Sequence, residues 1–173
     1  MLETNDPTPS ACGAPDTSRG ATAGRPVLLV SSQGGHLAHL LALRSWWERQ
    51  DRVWVCPETP DVIDRLDGER VIPSHWPTTR NATNLVRNGL LARRVLRRVR
   101  PAVVVSSGAG VAVPFFVYAR AMGIPTVFIE VYDRVDTPTL TGRLCGPFTT
   151  RRLVQWPSQL ELYPDAHLVG PLL

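Results

Sequence analysis

The sequence predicts an α/β fold, one parallel β-sheet with helices on both faces. Three observations carry this. Short apolar runs rich in β-branched residues, such as residues 26–32 and 102–106, alternate with longer segments of helical periodicity. The runs show no polar alternation, so they read as strands buried on both faces. A helix between successive strands makes those strands parallel, because parallel neighbours need a crossover.

The elements follow in order. Residues 1–25 are rich in Pro, Thr, Ser, Ala and Gly and are expected to be a disordered tail, followed by a single domain over 26–173. Cys12 lies in that tail within Ser-Ala-Cys-Gly, without the apolar stretch a signal or lipidation sequence requires. The first strand, 26–32, ends in Gln33-Gly34-Gly35-His36, and an apolar-rich helix is expected over 37–49. Residues 53–56 read as a second strand. Residues 60–66 form a short helix with Thr59 as its cap. Val71 and Ile72 mark a brief third strand, and 73–80 a loop. A long helix over 81–100 stops before Pro101, which cannot continue it. Strand 102–106 leads into the turn Ser107-Gly108-Ala109-Gly110 and a helix reaching Met122, with Gly123 as its C-terminal cap. Strand 125–129 follows. Helices over 139–144 and 158–163 and strands at 153–155 and 167–169 complete the pattern.

Composition bounds the function. A chain of 173 residues, 43% hydrophobic and 20% charged, suits one soluble globular domain. A net charge of +4 and a pI near 9.5 favour anionic partners. Cys12, Cys56 and Cys145 are far apart, odd in number and without C-x-x-C spacing. That argues against a disulfide framework or zinc site and fits reduced thiols in the cytosol. No metal-ligand cluster is visible, no cofactor is expected, and no apolar run reaches the ~18 residues of a membrane span.

In open α/β sheets ligands sit beyond the carboxyl ends of the strands, and both glycine turns fall there. Glycine admits a close approach of backbone N–H groups to an anion, and a helix start adds unpaired donors. The turns therefore either hold a phosphate or diphosphate or serve only as tight strand-to-helix connections. Neither matches G-x-G-x-x-G or a P-loop. His36, at a helix start, could act as a general base or bind phosphate, or be structural. Glu130 ends an apolar strand, where a carboxylate is unexpected unless it meets solvent or serves the site. Asp133, Arg134 and Asp136 follow it, and Arg134 could meet an anion.

On the long helix, Leu85, Ala92, Val95, Leu96 and Val99 share one arc at 100° per residue. Arg87, Arg94 and Arg98 lie opposite, flanked by Arg93, Arg97 and Arg100, with Val86 and Leu90 inside the basic arc. This is either a solvated face or a surface for an anionic membrane, arginines on headgroups and the two apolar residues dipping in. Nucleic acid is disfavoured, because aromatic interleaving is missing. Trp46 and Trp47 are expected in the core, and Trp76 exposed in its Pro-rich loop.

Taken in series, these residues resemble a family. Ser31-Ser32-Gln33-Gly34-Gly35-His36, Ser107-Gly108-Ala109-Gly110 with Pro114, Ile129-Glu130 with Arg134, Thr141-Gly142-Arg143-Leu144, Val154-Gln155-Trp156, Tyr163-Pro164 and Gly170-Pro171-Leu172 are similar to the PssD-type polysaccharide biosynthesis proteins. They also resemble the eukaryotic relative of that family, the membrane-recruiting subunit of the two-component N-acetylglucosaminyltransferase of N-glycan assembly. The resemblance implies a Rossmann-like domain like the acceptor-binding half of a GT-B glycosyltransferase. It implies a polyprenyl-diphosphate-linked saccharide as acceptor, a nucleotide-sugar donor held mainly by a separate chain resembling a GT-B C-terminal half, and no metal. His36 and Glu130 become the candidate catalytic residues, with Gly34, Gly35, Ser107, Gly108, Gly110 and Arg134 around the acceptor diphosphate. The membrane surface falls to Val86, Arg87, Leu90, Arg94, Arg97 and Arg98, peripheral on the inner face of the cell membrane. Two departures stand out: Val131-Tyr132-Asp133 between Glu130 and Arg134, and Thr149-Thr150-Arg151-Arg152 where an acidic residue commonly precedes the Val-Gln-Trp strand. A non-catalytic recruiter of a donor-binding chain and a stand-alone nucleotide-binding enzyme are the alternative readings.

Overall fold

The computed structural model describes residues 24–78 and 81–173. The tail expected over 1–25 therefore lies, up to residue 23 and including Cys12, outside the described residues. Arg25 belongs with the folded domain: its guanidinium donates to the carbonyls of Arg100 (2.8 Å) and Pro101 (2.9 Å).

The strands are β1 (Val27–Val30), β2 (Arg52–Pro57), β3 (Val71–Ser74), β4 (Val103–Ser106), β5 (Thr126–Ile129), β6 (Arg151–Val154) and β7 (His167–Leu168). They form one parallel sheet in the order β3-β2-β1-β4-β5-β6-β7. The helices are α1 (Gly35–Leu41), α2 (Arg44–Trp47), α3 (Pro60–Arg65), α4 (Ala82–Val99), α5 (Ala112–Ala121), α6 (Leu140–Cys145) and α7 (Gln159–Leu162). Alternate strand residues enter two cores. Leu28, Val30, Val53, Val55, Val104 and Phe128 pack under α4 and α5. Leu29, Trp54, Cys56, Val105 and Ile129 pack under α1, Trp47 and α3. That two-sided burial explains the continuous apolar runs.

Four local expectations change. The helix expected over 37–49 is broken into α1 and α2. The Leu40 carbonyl accepts from the Leu43 amide (3.2 Å) and the Trp47 indole (2.8 Å), so the ladder tightens and ends there. Trp47 is thereby buried, in T-shaped contact with Trp54, while Trp46 is partly exposed rather than in the core. β3 runs on through Pro73 to Ser74, which an edge strand allows because one side of it needs no donor.

The fourth change concerns α4, whose ends match the expectation closely. Asn81 caps it by accepting from the Asn84 amide (2.9 Å), and Arg100 closes it in the left-handed conformation before Pro101. Its buried face is different. Leu85 is 45% exposed, and Asn84 and Asn88 are buried instead. Asn88 binds both backbone groups of His75, at 2.9 and 3.0 Å, and Asn84 donates to the Pro77 carbonyl at 2.9 Å. The first turns of α4 thus carry polar side chains inward to hold the loop after β3. The later turns bury Ala92, Val95 and Leu96.

Asn88→Ala would leave both backbone groups of His75 without their side-chain partner. It should lower the unfolding free energy by about 1–3 kcal/mol, read from urea denaturation.

Candidate active site

The sheet order reverses between β1 and β4, so these two strands leave the sheet side by side in opposite winding directions. Val30 is in register with Ser106, and both glycine turns therefore start from neighbouring strand ends. That switch point is where ligands bind in open α/β sheets.

In the first turn, Gly34 takes a φ of +70° and its carbonyl accepts the first bond of α1, from Ala38 (3.0 Å). The amides of Gly35, His36 and Leu37 lie outside the helical ladder, as at any helix start. The Gly34 amide is engaged by the Asp61 carboxylate (3.3 Å), so that donor is shared with an acidic neighbour.

The two turns are clamped together through His36. Its Nδ1–H donates to the Ser107 carbonyl at 3.0 Å, and the Ser107 hydroxyl donates back to the His36 carbonyl at 2.7 Å. A carbonyl can only accept, so Nδ1 carries the proton and Nε2 keeps a lone pair. Nε2 has no hydrogen-bond partner among the described residues. Burial holds the imidazole below its ordinary pKa of 6.5, with a smaller contribution from the neighbouring His39. The Ser107 bond and the charges of Asp133 and Glu130 oppose the shift without cancelling it. Gly108 makes the fit possible: at φ +120°, a Cβ there would stand 3.0 Å from His36 Cε1. Gly110 similarly abuts the Thr78 carbonyl, so the loop after β3 lies against the second turn. Ser107 is buried and its hydroxyl is spent on the clamp.

Glu130 occupies a different setting. It is 0% exposed at the end of β5. Oε1 accepts from the Thr139 hydroxyl (2.9 Å) and the Val131 amide (3.3 Å). Oε2 accepts from the Tyr163 hydroxyl (2.5 Å), and Arg152 Nη1 stands 3.8 Å away. Burial first, then the bond to Glu130, push the Tyr163 phenol well above its usual range. Arg152 stacks on the Tyr163 ring, 4.0 Å from its centroid, and donates to the Gly142 carbonyl (3.1 Å). A Cβ on Gly142 would come within 2.6 Å of Glu130 Oε2, so the carboxylate fits only because that position has no side chain. Arg134 is exposed in the same loop, and its side chain makes no hydrogen bond among the described residues.

The structure thus joins His36, Ser107 and Gly108 directly and sets Glu130 behind them. Sequence reasoning passed over His39, buried one helical turn from His36. It bonds the Gly35 carbonyl through Nδ1 (2.7 Å) and accepts from the Tyr132 amide through Nε2 (3.3 Å). Its spacing of four from Gly35 was the available signal. In the sequence Arg152 and the buried Gln155 stand only within motif stretches, and the buried Gln159 only within a short helix. On α4, Val86 and Leu90 are 65% and 61% exposed, and a shallow groove is lined by Leu90, Arg93, Arg94, Arg97 and Arg98. Among the described residues no helix is long and apolar enough to cross a membrane.

Known proteins resemble this chain in sequence and in fold. The family model described as oligosaccharide biosynthesis protein Alg14 like matches residues 73–172. The human UDP-N-acetylglucosamine transferase subunit ALG14 is 29% identical over 132 residues, 73% of this chain and 60% of that protein. The UDP-N-acetylglucosamine--N-acetylmuramyl-(pentapeptide) pyrophosphoryl-undecaprenol N-acetylglucosamine transferase of Oceanobacillus iheyensis is 29% identical over 91 residues, 51% of this chain and 25% of that enzyme. Crystalline MurG from Acinetobacter baumannii superposes with a TM-score of 0.64 at 18% identity, over 78% of this chain and 43% of MurG, a likeness of fold. The chain spans less than two thirds of the length of either curated relative.

The lowered pKa of His36 has a consequence for stability. Below pH 6.5 the unfolded chain takes up the imidazole proton before the folded one, so acid costs stability until the folded pKa is passed. His36→Gln should show a shallower loss than the wild type as pH falls below 6.5, measured by urea unfolding across a pH series.

Proposed function

The chain belongs to the Alg14-like family of oligosaccharide biosynthesis proteins, and from that premise we propose that it is the acceptor-side half of a two-component glycosyltransferase. It receives a polyprenyl-diphosphate-linked saccharide, while a separate GT-B C-terminal-like chain holds most of the nucleotide-sugar donor. The observation that carries the reading is His36. An imidazole kept neutral by burial, with Nδ1 committed to Ser107 and Nε2 carrying the lone pair, stands between two glycine turns at the switch point. The word subunit in the human relative's name supports a division of labour.

In this mechanism the acceptor hydroxyl oxygen attacks the anomeric carbon of the donor. The bond from that carbon to the nucleotide diphosphate breaks, and the hydroxyl proton passes to His36 Nε2. Backbone amides at Gly35 and His36 face the acceptor diphosphate, with Arg134 available to reach it. The Gly108 amide is held by the Ser106 hydroxyl (3.1 Å), and Gly108 and Gly110 serve by close approach, with Ser107 beside them. Glu130 is buried and its oxygens are occupied, so its part is to set the loop after β5 rather than to meet the hydroxyl. The exposed Val86, Arg87, Leu90, Arg94, Arg97 and Arg98 bring the domain to an anionic membrane on the cytoplasmic side. Each arginine at such a surface contributes about 1 kcal/mol.

Co-purification with a donor-binding chain and assay with labelled UDP-sugars and a polyprenyl-diphosphate acceptor tests the reading. The pair should transfer sugar, and neither chain alone should. His36→Ala in the pair should cost ~10²-fold or more in kcat. Transfer by this chain alone would contradict the division between two chains.

Binding to vesicles containing anionic lipid should fall as salt rises, and neutral vesicles should bind less. Equal binding to both would remove the arginine face from the model.

A further inference from the structure

The loop after β5 presents an aromatic ring that the mechanism above does not use. Tyr132 is 46% exposed, yet its main chain is fixed on both sides. Its amide donates to His39 Nε2 (3.3 Å), and its carbonyl accepts from the Trp156 indole (2.7 Å). The flanking carbonyls of Val131 and Arg134 both accept from one buried amide, Gln159 Nε2, at 3.1 and 3.0 Å. His39 is itself held by the Gly35 carbonyl, and its ring backs the Tyr132 ring at a centroid separation of 5.5 Å. A surface loop seldom receives this many side-chain bonds without something to aim.

What is aimed is a flat, half-open aromatic face with little freedom left to lose. Tyrosine has few rotatable torsions, and the fixed backbone removes most of the remaining ordering cost of binding. The π face is electron-rich and suits weakly positive C–H groups. A pyranose ring offers such a face, with its hydroxyls turned to the rim. The position fits as well. His39 ties Tyr132 to the first turn of α1, which carries His36, and the adjacent Asp133 lies near enough to act on the His36 charge.

We propose that the exposed Tyr132 ring is a stacking platform for a pyranose of the acceptor saccharide, with His39 and Trp156 as the positioning residues that aim it. The inference rests on the acceptor-side reading, and its tests separate the two.

Saturation-transfer NMR on the full chain, with cellobiose and chitobiose as probes, should show transfer to pyranose ring protons in the wild type and in Tyr132→Phe. In Tyr132→Ala binding should weaken roughly 3- to 10-fold. In the reconstituted pair the same variant should raise the acceptor KM by a similar factor and leave kcat and the donor KM nearly unchanged. His39→Ala should reproduce part of that KM effect; if it does not fold, Trp156→Phe, which removes the indole donor and keeps an aromatic ring, takes its place. No transfer to either disaccharide in the wild type would overturn the platform, as would equal losses in Tyr132→Phe and Tyr132→Ala. Tyr132-dependent saccharide binding without any sugar transfer by the pair would keep the platform and sink the transferase reading. Sugar transfer with an unchanged acceptor KM in Tyr132→Ala would do the reverse.

Discussion

The pairing of β1 with β4 is the constraint from which the rest of the site follows. It brings together two segments about 70 residues apart in the chain, Gln33–His36 and Ser107–Gly110, and the reciprocal bonds between His36 and Ser107 close the contact. Each bond serves two ends. The Ser107 carbonyl chooses the imidazole tautomer, and the Ser107 hydroxyl satisfies a carbonyl at the start of α1. In the proposed mechanism a histidine oriented in this way needs no reorganisation before it accepts a proton, which is where a preorganised site gains over water. The glycine at 108 is required by the same contact, since the imidazole occupies the space a side chain would fill.

Behind that clamp, the loop after β5 depends on a buried polar network rather than on apolar packing. Gln155 donates to the Glu130 carbonyl (2.9 Å) and accepts from the Leu172 amide (2.9 Å). Gln159 accepts from the Gln155 and Trp156 amides while donating to the loop. Glu130 collects Thr139, Tyr163 and the Val131 amide. Groups buried this deeply are costly when unpaired, so the network permits one arrangement of the loop and few others. The unusual Thr149–Arg152 stretch belongs to it. Thr150 and Thr126 join β6 to β5 through each other's amides, and Arg152 reaches Glu130, Tyr163 and Gly142.

The long helix divides its work along its length. Its first turns use Asn84 and Asn88 to hold the loop that abuts Gly110, and its later turns seal the core with Ala92, Val95 and Leu96. The outward arginines are then free of structural duty, with Val86 and Leu90 exposed among them. One element therefore links the switch point to the surface proposed to meet the membrane.

The sequence by itself determined the α/β class, the parallel sheet, nearly every strand and the ends of α4. Those features rest on local rules: runs of β-branched residues, helical periodicity, a proline stop. It also marked both glycine turns and His36, because glycine pairs after apolar strands are conspicuous. It did not reveal the break between α1 and α2, since a single indole N–H competing for the Leu40 carbonyl leaves no periodic trace. Nor did it show that Leu85 would face outward, because helical periodicity ranks Leu above Asn for burial and cannot see the His75 backbone waiting for an amide. Only the tertiary structure decided that Glu130 is enclosed, that Ser107 is spent on His36, and that His39 reaches Tyr132. Each of those outcomes depends on a hydrogen-bond partner tens of residues away, and such partners are chosen by the strand order and not by the local chain.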